Sequence, residues 1–207
     1  MTQMIDYWTD RYSRQGTRTV GHMSFSNADL DARTEETCRR WGPLLKEYLG
    51  GAKVLDFGCG VGRLSRILVD SAGASRVCGT DVVPWAIDEA RKRVPEGEFR
   101  PIGQNGRIPF SADAFGGVLS WTVLQHIPPA EVEGAAHEID RVMAPGACLF
   151  LYENTSALES KGHIWFRPLS FYLDLFEKHC SPFHIETVER FDGTDEVHSL
   201  VGLRKWS

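Results

Sequence analysis

Residues 54–65 read Val-Leu-Asp-Phe-Gly-Cys-Gly-Val-Gly-Arg-Leu-Ser, a short apolar run followed by three glycines at alternate positions. Glycine has no side chain, so it takes positive φ readily and lets a ligand approach the backbone. Apolar residues at helical spacing follow the glycines, and the first turn of a helix offers free amides and a partial positive charge. The stretch therefore predicts a strand, a nucleotide-cofactor loop and a helix, in that order.

The spacing of the glycines discriminates between classes of cofactor. A dinucleotide-binding fingerprint has glycine at the first, third and sixth positions. Counted from Gly58, the third position is Gly60, but the sixth is Arg63 and the additional glycine is Gly62. Asp56 also places a carboxylate at the tip of the strand, where it would repel a pyrophosphate. A cationic ligand suits this position better.

In its strand, acid, three glycines and helix, the stretch resembles the first motif of the class I S-adenosylmethionine-dependent methyltransferases, Val-Leu-Asp-x-Gly-Cys-Gly-x-Gly. The sulfonium and amino groups of that cofactor supply positive charge. Two later stretches resemble motifs of small-molecule members of the family: residues 120–128, Ser-Trp-Thr-Val-Leu-Gln-His-Ile-Pro, and the Glu-x-x-Arg-Val-x-x-Pro-Gly pattern of residues 138–146. The resemblance covers residues 52–153.

The resemblance implies a Rossmann-like, doubly wound α/β fold with three α/β/α layers. Its seven-stranded sheet is mostly parallel, with an antiparallel last strand and the order 3-2-1-4-5-7-6. The local pattern agrees, because strand-like and helix-like segments alternate, as in βαβ units. We expect strands near 98–102, 116–122 and 147–153 and a helix over 130–143, ended by Ala144-Pro145-Gly146. A helix over 170–179 and two strand-like runs, 183–191 and 196–204, follow, with the hairpin signal Asp192-Gly193 between the runs.

We divide the chain into an N-terminal helical segment or lid, residues 1–50, and a methyltransferase domain, residues 51–207. The domain has its core at 52–153 and a C-terminal helix and hairpin at 154–207. An apolar stripe at helical spacing crosses the first segment and is expected to break or bend at Gly42-Pro43. Residues 1–26 show little periodicity, which suits either a segment folded over the cofactor or a disordered terminus.

Ligands in such sheets bind beyond the carboxyl ends of the parallel strands. Asp81 ends the second predicted strand, where its carboxylate can accept hydrogen bonds from ribose hydroxyls; a helix N-cap is the alternative. Gln104 stands where the family often has an acid facing the adenine amine, although Asn105-Gly106 also suits a plain turn. The predicted cofactor-binding residues are Asp56, Gly58, Cys59, Gly60, Gly62, Arg63, Asp81, Val82, Gln104, Asn105 and Trp121.

Methyl transfer is an in-line displacement in which positioning and desolvation contribute much of the catalysis. A general base is needed only for some acceptors, and His126, beyond the fourth predicted strand, is the candidate. The alternative for His126 is a ring bonded to a loop carbonyl. The residues predicted to contact the acceptor are Tyr12, His126, Tyr152 and Trp165; for Tyr12 and Tyr152, the alternative is a packing or surface role.

The segment after the fourth predicted strand reads Ser-Trp-Thr-Val at 120–123. It lacks the Asn/Asp-Pro-Pro-aromatic tetrad of enzymes that methylate nucleic-acid bases, and it lacks the metal-binding acid of catechol-type enzymes. We therefore expect a metal-independent methyltransferase acting at oxygen or nitrogen of a small molecule. A protein that binds the cofactor without turnover, as a sensor or partner subunit, is the alternative. A nicotinamide-dependent oxidoreductase ranks third, because Asp56 and Arg63 disfavour it.

The composition argues against some classes of binding partner. The chain has 207 residues, 42% of them hydrophobic, which predicts one globular domain with an appendage. Its net charge of -5 and the lack of a long basic run argue against nucleic acid. No stretch is long enough to span a bilayer and the first residues are too polar for a signal peptide, so we expect a cytoplasmic protein without a membrane partner. Five unpaired cysteines are expected to be small buried hydrophobes. The sequence does not indicate the oligomeric state.

Overall fold

The computed structural model describes residues 2–20, 26–103, 105–160, 162–188 and 196–207. The chain forms two compact units, Met1–Asn105 and Gly106–Ser207. The boundary that the sequence suggests at residue 50 stays a prediction.

The first unit contains two N-terminal helices and three strands that pair in parallel. Its elements are α1 (Thr2–Gln15), a 3-10 helix (Gly16–Val20), α2 (Asn27–Leu49), β1 (Lys53–Phe57), α3 (Arg63–Asp70), β2 (Arg76–Asp81), α4 (Pro84–Arg93) and β3 (Glu98–Pro101). The glycine stretch thus lies between a strand and a helix, as its sequence predicts.

The second unit contains four strands and two α-helices among its described residues. Its elements are β4 (Phe115–Trp121), a 3-10 helix (Leu124–His126), α5 (Val132–Val142), β5 (Met143–Asn154), α6 (Leu169–Phe176), β6 (Cys180–Val188) and β7 (His198–Lys205). β4 and β5 are parallel, whereas β7 runs antiparallel to both β5 and β6.

The strand order is β3-β2-β1-β4-β5-β7-β6, and helices flank the sheet. This order, with its antiparallel last strand, confirms the predicted Rossmann-like, doubly wound fold. Strands near the middle of the order are buried along almost their whole length, as expected for strands covered on both faces. The edge strand β6 is exposed at many positions.

Helix α2 differs from its prediction. Ser26 and Asp29 form a capping box at its start, in which each side chain accepts the other residue's amide N–H. The helix then continues through Gly42-Pro43, so it does not break there, and the alternative of a bend stays a prediction. Pro43 is exposed, and solvent can therefore reach the carbonyl that its missing N–H leaves unpaired.

The second unit also differs in detail from the sequence pattern. Helix α5 ends at Val142, and Ala144-Pro145-Gly146 lies inside β5 rather than before it. A register shift in the pairing with β4, between Phe115 and Gly117, accommodates the additional residues. The predicted antiparallel hairpin is confirmed by β6 and β7, while its Asp192-Gly193 turn lies outside the described residues.

Four of the five cysteines are buried, Cys38 is partly exposed, and all five are free thiols. Their burial agrees with the role of small hydrophobes. None of the helices in the described part of the chain is both long and apolar enough to cross a membrane.

Gly62 lies at the end of the glycine loop, where helix α3 begins and packs closely against helix α4. Its φ is +75°, and a Cβ placed on it would lie 3.1 Å from the Ala90 Cα atom of helix α4. Both the backbone conformation and the close approach of α3 to α4 therefore require glycine.

We predict that Gly62→Ala lowers the free energy of unfolding by about 2–4 kcal/mol, because it adds overpacking to left-handed strain. Gly73→Ala is the matched control, since Gly73 has φ +65° and a Cβ placed on it would have nothing within 4 Å. The control should lose only about 1–2 kcal/mol. Equal losses in denaturant titrations of the two variants would contradict the packing role of Gly62.

Candidate active site

The glycine loop folds over the end of β2. The amides of Gly58 and Cys59 donate to the Thr80 carbonyl oxygen at 2.8 and 3.0 Å. Gly58 and Gly60 have φ of +71° and +53°, a conformation that L-residues with side chains rarely adopt. The loop thus turns sharply at the carboxyl ends of β1 and β2 and carries little side-chain bulk there.

Asp81 connects this loop to the segment after β2. Its Oδ2 accepts the Gly60 N–H at 2.9 Å, and its Oδ1 accepts the Val83 N–H at 2.9 Å. The residue at the N-cap position of α4 is Val83, so Asp81 is not the predicted alternative, a helix N-cap. Burial raises the pKa of Asp81, and its bonds to backbone amides oppose the rise. The residue remains partly exposed, and a carboxylate has about four acceptor positions, so ligand hydroxyls can still be accepted.

Asp56 has a structural role in the first unit, while the cofactor contact that its position in sequence suggests stays a prediction. Its carboxylate is 2% exposed and accepts the Ser65 hydroxyl at 2.5 Å. The Ser65 backbone amide, in the first turn of α3, also bonds to it. Asp56 therefore caps helix α3 and contributes a negative charge from beneath the loop. Burial raises its pKa to about 6.

Arg63, the first residue of α3, links this helix to α2. Its guanidinium donates to the Thr34 hydroxyl at 3.0 Å, while its buried Nε has no hydrogen-bond partner. Burial lowers the Arg63 pKa to about 10, and the Asp56 charge opposes that change. Arg63 is thus largely enclosed within the first unit.

Helix α1 packs against the glycine loop through Tyr12. The Tyr12 side chain is 7% exposed and forms an apolar cluster with Val61, Val83 and Ala86, against which Val82 also packs. Burial, and secondarily the Asp81 charge, raises the Tyr12 pKa. The structure thus places Tyr12 beside predicted cofactor residues; its contact with an acceptor and the lid role of residues 1–50 stay predictions.

The predicted adenine contacts are only partly described. Gln104 lies outside the described residues. The Asn105 side-chain oxygen lies close to Gly103, since a Cβ placed on Gly103 would be 3.0 Å from it. Gly106 has φ +75°. These features agree with the alternative of a turn at Asn105-Gly106 and leave the adenine contact a prediction.

In the second unit, aromatic side chains stack across three neighbouring strands. Trp121 stacks on Tyr152 with ring centroids 4.2 Å apart, and Tyr152 stacks on His198 at 5.3 Å. Trp121 and Tyr152 are paired in the register of β4 and β5. His198 was not predicted, because only the antiparallel pairing of β7 with β5 brings it to this position.

A strained turn follows β4. We define the post-β4 turn as residues 122–127. Thr122 has φ +55°, which is rare for a β-branched residue and costs of order 1–3 kcal/mol. Its amide donates to the Tyr152 carbonyl oxygen at 2.6 Å. The chain thus leaves β4 abruptly and enters the 3-10 helix that carries His126.

His126 is held by its neighbours in one orientation. Its Nδ1 lies 2.9 Å from the His163 carbonyl oxygen, and because a carbonyl only accepts, we assign the ring proton to Nδ1. Its Nε2 lies 3.3 Å from the Gln125 side-chain nitrogen. The predicted alternative, a ring bonded to a loop carbonyl, is therefore present. This bond also leaves Nε2 as the nitrogen with a lone pair, so it does not exclude a role as base.

Two residues that sequence reasoning missed hold the post-β4 turn from opposite sides. Glu153, at 1% exposure, accepts the amides of residues 123–125 and the Ser120 hydroxyl at 3.0–3.2 Å. Arg167 donates to the Leu124 and Ile127 carbonyl oxygens at 2.7 and 2.6 Å. Burial raises the Glu153 pKa to about 7 against the effect of its hydrogen bonds. The Trp165 amide adds a bond to the Gln125 carbonyl oxygen, which places this predicted acceptor residue next to the turn.

The chain is similar to known methyltransferases in sequence. Residues 54–146 match the family model of a methyltransferase domain. An uncharacterized methyltransferase from Synechocystis sp. is 30% identical over 127 residues, covering 61% of this chain and 57% of the relative. These matches and the fold support the predicted resemblance to the class I S-adenosylmethionine-dependent methyltransferases. A sterol 24-C-methyltransferase from Gibberella zeae is 31% identical over 114 residues, covering 50% of this chain but 28% of that enzyme.

Solved structures share the fold of this chain. The PH0226 protein from Pyrococcus horikoshii aligns with a TM-score of 0.73 at 20% identity, over 95% of this chain and 98% of that one. The 1,6-didemethyltoxoflavin-N1-methyltransferase from Burkholderia thailandensis aligns with a TM-score of 0.62 at 19% identity, over 86% of this chain and 84% of that one. Its structure contains S-adenosylhomocysteine. The family match agrees with the S-adenosylmethionine cofactor that the sequence predicts for this chain.

The residues of the first unit fit that cofactor. The glycines of the loop present backbone without side chains, and Asp81 keeps acceptor capacity next to them. Among the residues that the structure describes, no three His, Cys, Asp or Glu side chains are grouped as metal ligands.

We predict that Asp56→Asn changes how stability depends on pH. The folded-state pKa of Asp56 is raised from 3.8 to about 6, so its contribution to stability is greatest at low pH and is lost as the pH rises through this range. Relative to the native protein, the variant should gain about 2 kcal/mol of unfolding free energy between pH 4.5 and 7.5. Denaturant titrations across this range measure the gain. Asp70→Asn, at the exposed end of the same helix, is the control, and parallel curves for Asp56→Asn and the native protein would contradict the prediction.

Proposed function

We propose that the protein transfers a methyl group from S-adenosylmethionine to oxygen or nitrogen of a small-molecule acceptor, without a metal ion. The observation that carries this proposal is the Asp81 bridge between the Gly60 and Val83 amides. It fixes the glycine loop and the segment after β2 around one carboxylate with remaining acceptor capacity. The chain spans about half the length of its cyanobacterial relative, and its acceptor is therefore proposed from its own residues.

The second unit supplies residues suited to an acceptor. A strained turn presents His126, and the Nδ1 bond to the His163 carbonyl directs the unprotonated Nε2 away from that carbonyl. For a hydroxyl acceptor, the acceptor O–H would displace the Gln125 N–H from the Nε2 lone pair, and Nε2 would take the proton as the oxygen attacks the methyl carbon. The bond from methyl carbon to sulfur breaks at the same time, and S-adenosylhomocysteine leaves as a neutral thioether. The aromatic stack of Trp121 and Tyr152 favours an acceptor with planar or apolar surface.

We predict that Asp81→Asn weakens binding of S-adenosylhomocysteine by about 10- to 100-fold, because hydrogen bonds to a charged group contribute about 1.5–3 kcal/mol. The new amide group would also face one of the two backbone N–H donors. Isothermal titration calorimetry measures the affinity, and circular dichroism checks the fold. Asp88→Asn is the control, since Asp88 is an exposed acid on α4 paired with Arg91. Unchanged affinity in Asp81→Asn would refute the cofactor site proposed here.

We predict that His126→Ala lowers kcat for a hydroxyl acceptor by about 10²- to 10⁴-fold, with little change in KM for S-adenosylmethionine. An acceptor is first found by transfer of radioactive methyl from labelled S-adenosylmethionine to a panel of phenols and amines. The acidic limb of the pH–rate profile should disappear in the variant. His137→Ala, an exposed histidine on α5, is the control. Cofactor binding without transfer to any acceptor would instead support the alternative, a sensor or partner subunit.

A further inference from the structure

Glu153 is a buried acid whose two carboxylate oxygens both accept hydrogen bonds. Its Oε1 accepts the Ser120 hydroxyl and the amides of Val123 and Leu124, while its Oε2 accepts the Gln125 amide. Three consecutive amides thus converge on one carboxylate. A three-residue 3-10 helix cannot bond these first amides internally, so an external acceptor is required.

The same turn fixes the Gln125 side chain. The Gln125 Oε1 accepts the Asn154 backbone N–H at 2.7 Å, which leaves its NH₂ group facing His126. That NH₂ lies 3.3 Å from His126 Nε2. The Gln125 NH₂ group therefore faces Nε2, the same His126 nitrogen that the Nδ1 bond to the His163 carbonyl leaves with the lone pair.

We propose that Glu153 is the positioning residue of the methyl-acceptor site: by accepting the three amides of the post-β4 turn, it holds His126 in its orientation and tautomer. This inference rests on the proposed function for its catalytic meaning. Its geometric part, the control of His126 by Glu153, is independent of turnover. Glu153 itself acts through the backbone and has no contact with the cofactor or acceptor assigned to it.

Charged and titratable groups around Glu153 are compatible with this role. Arg167 spans the carbonyl side of the turn, and its charge interacts with Glu153. Tyr172 of α6 donates to the Asn154 carbonyl oxygen at 3.4 Å, and burial and the Glu153 charge raise its pKa. An arginine side chain only donates, and the Tyr172 hydroxyl is directed at Asn154. Neither group therefore replaces Glu153 as the acceptor for the three amides.

The test compares Glu153→Gln with Ser120→Ala. The glutamine keeps the size of the side chain, but its NH₂ group must face at least one of the amide donors. The control removes the one donor to Glu153 that comes from strand β4 and leaves all three turn amides bonded. Both variants are labelled with ¹⁵N-histidine, and NMR records the His126 Nδ1–H proton and the ring nitrogen shifts.

We expect Glu153→Gln to broaden or lose the His126 Nδ1–H signal and to lower kcat by about 100-fold, because misplacing a catalytic group by about 1 Å costs that much. KM for S-adenosylmethionine should stay unchanged, and Ser120→Ala should keep the native His126 spectrum. A Glu153→Gln protein that is less stable but has a native His126 spectrum would overturn the proposal. If the native protein transfers no methyl group to any acceptor, a lost signal in Glu153→Gln would support the positioning role while the proposed function is refuted.

If Glu153→Gln does not fold, hydrogen exchange in the native protein tests whether Glu153 holds the three amides of the post-β4 turn. The Val123, Leu124 and Gln125 amides should exchange at least about 100-fold more slowly than in an unstructured peptide, because each is bonded to the buried carboxylate. Exchange at the rate of an unstructured peptide would overturn the proposal.

Discussion

Carboxylates near strand ends accept hydrogen bonds from backbone amides in the loops of the candidate site. Asp56 near the end of β1 bonds to the first turn of α3, and Asp81 at the end of β2 bonds to the glycine loop. Glu153 near the end of β5 bonds to the post-β4 turn. Each loop that the site needs is therefore tied to a rigid strand through a charge, and the loops derive their geometry from the sheet.

This arrangement has an energetic cost. Burial raises the pKa of all three acids, to about 6 for Asp56 and about 7 for Glu153, so ionising them at neutral pH opposes folding. The strained Thr122 adds to that cost. Such costs are typical of sites that are held ready for a ligand, and burial of the strand interiors offsets them.

Residues whose role depends on local sequence were predictable. The glycine loop and the position of Asp81 follow from a pattern that needs only a strand, a sharp turn and a helix in succession, whereas the strand order was predicted from the resemblance to a family. Glu153 and His198 were not predictable, because their neighbours lie in other strands and only the pairing of β4, β5 and β7 brings them together. Pro43 is the opposite case, in which a rule based on local sequence predicts a break. The helix continues there, because solvent exposure lowers the cost of the missing hydrogen bond.

The sequence motif identifies Asp56 as an important residue but does not reveal its hydrogen bond to Ser65. Its place before the glycines suggested a direct charge effect on the cofactor, whereas the structure shows its carboxylate on Ser65, inside the protein. The motif acid thus acts first on the helix that follows the loop. A sequence motif records which residue types a geometry needs, and it does not distinguish a residue that contacts the ligand from one that builds the loop.

The contact between Gly62 and Ala90 couples two positions that are distant in sequence. The Ala90 side chain is fully buried and meets the glycine from the neighbouring helix. A larger side chain at position 90 would displace the beginning of α3 and, with it, the loop. Natural variation at these two positions should therefore be correlated, with small residues kept on both sides, and cofactor affinity could be tuned by engineering a helix position that never touches the cofactor.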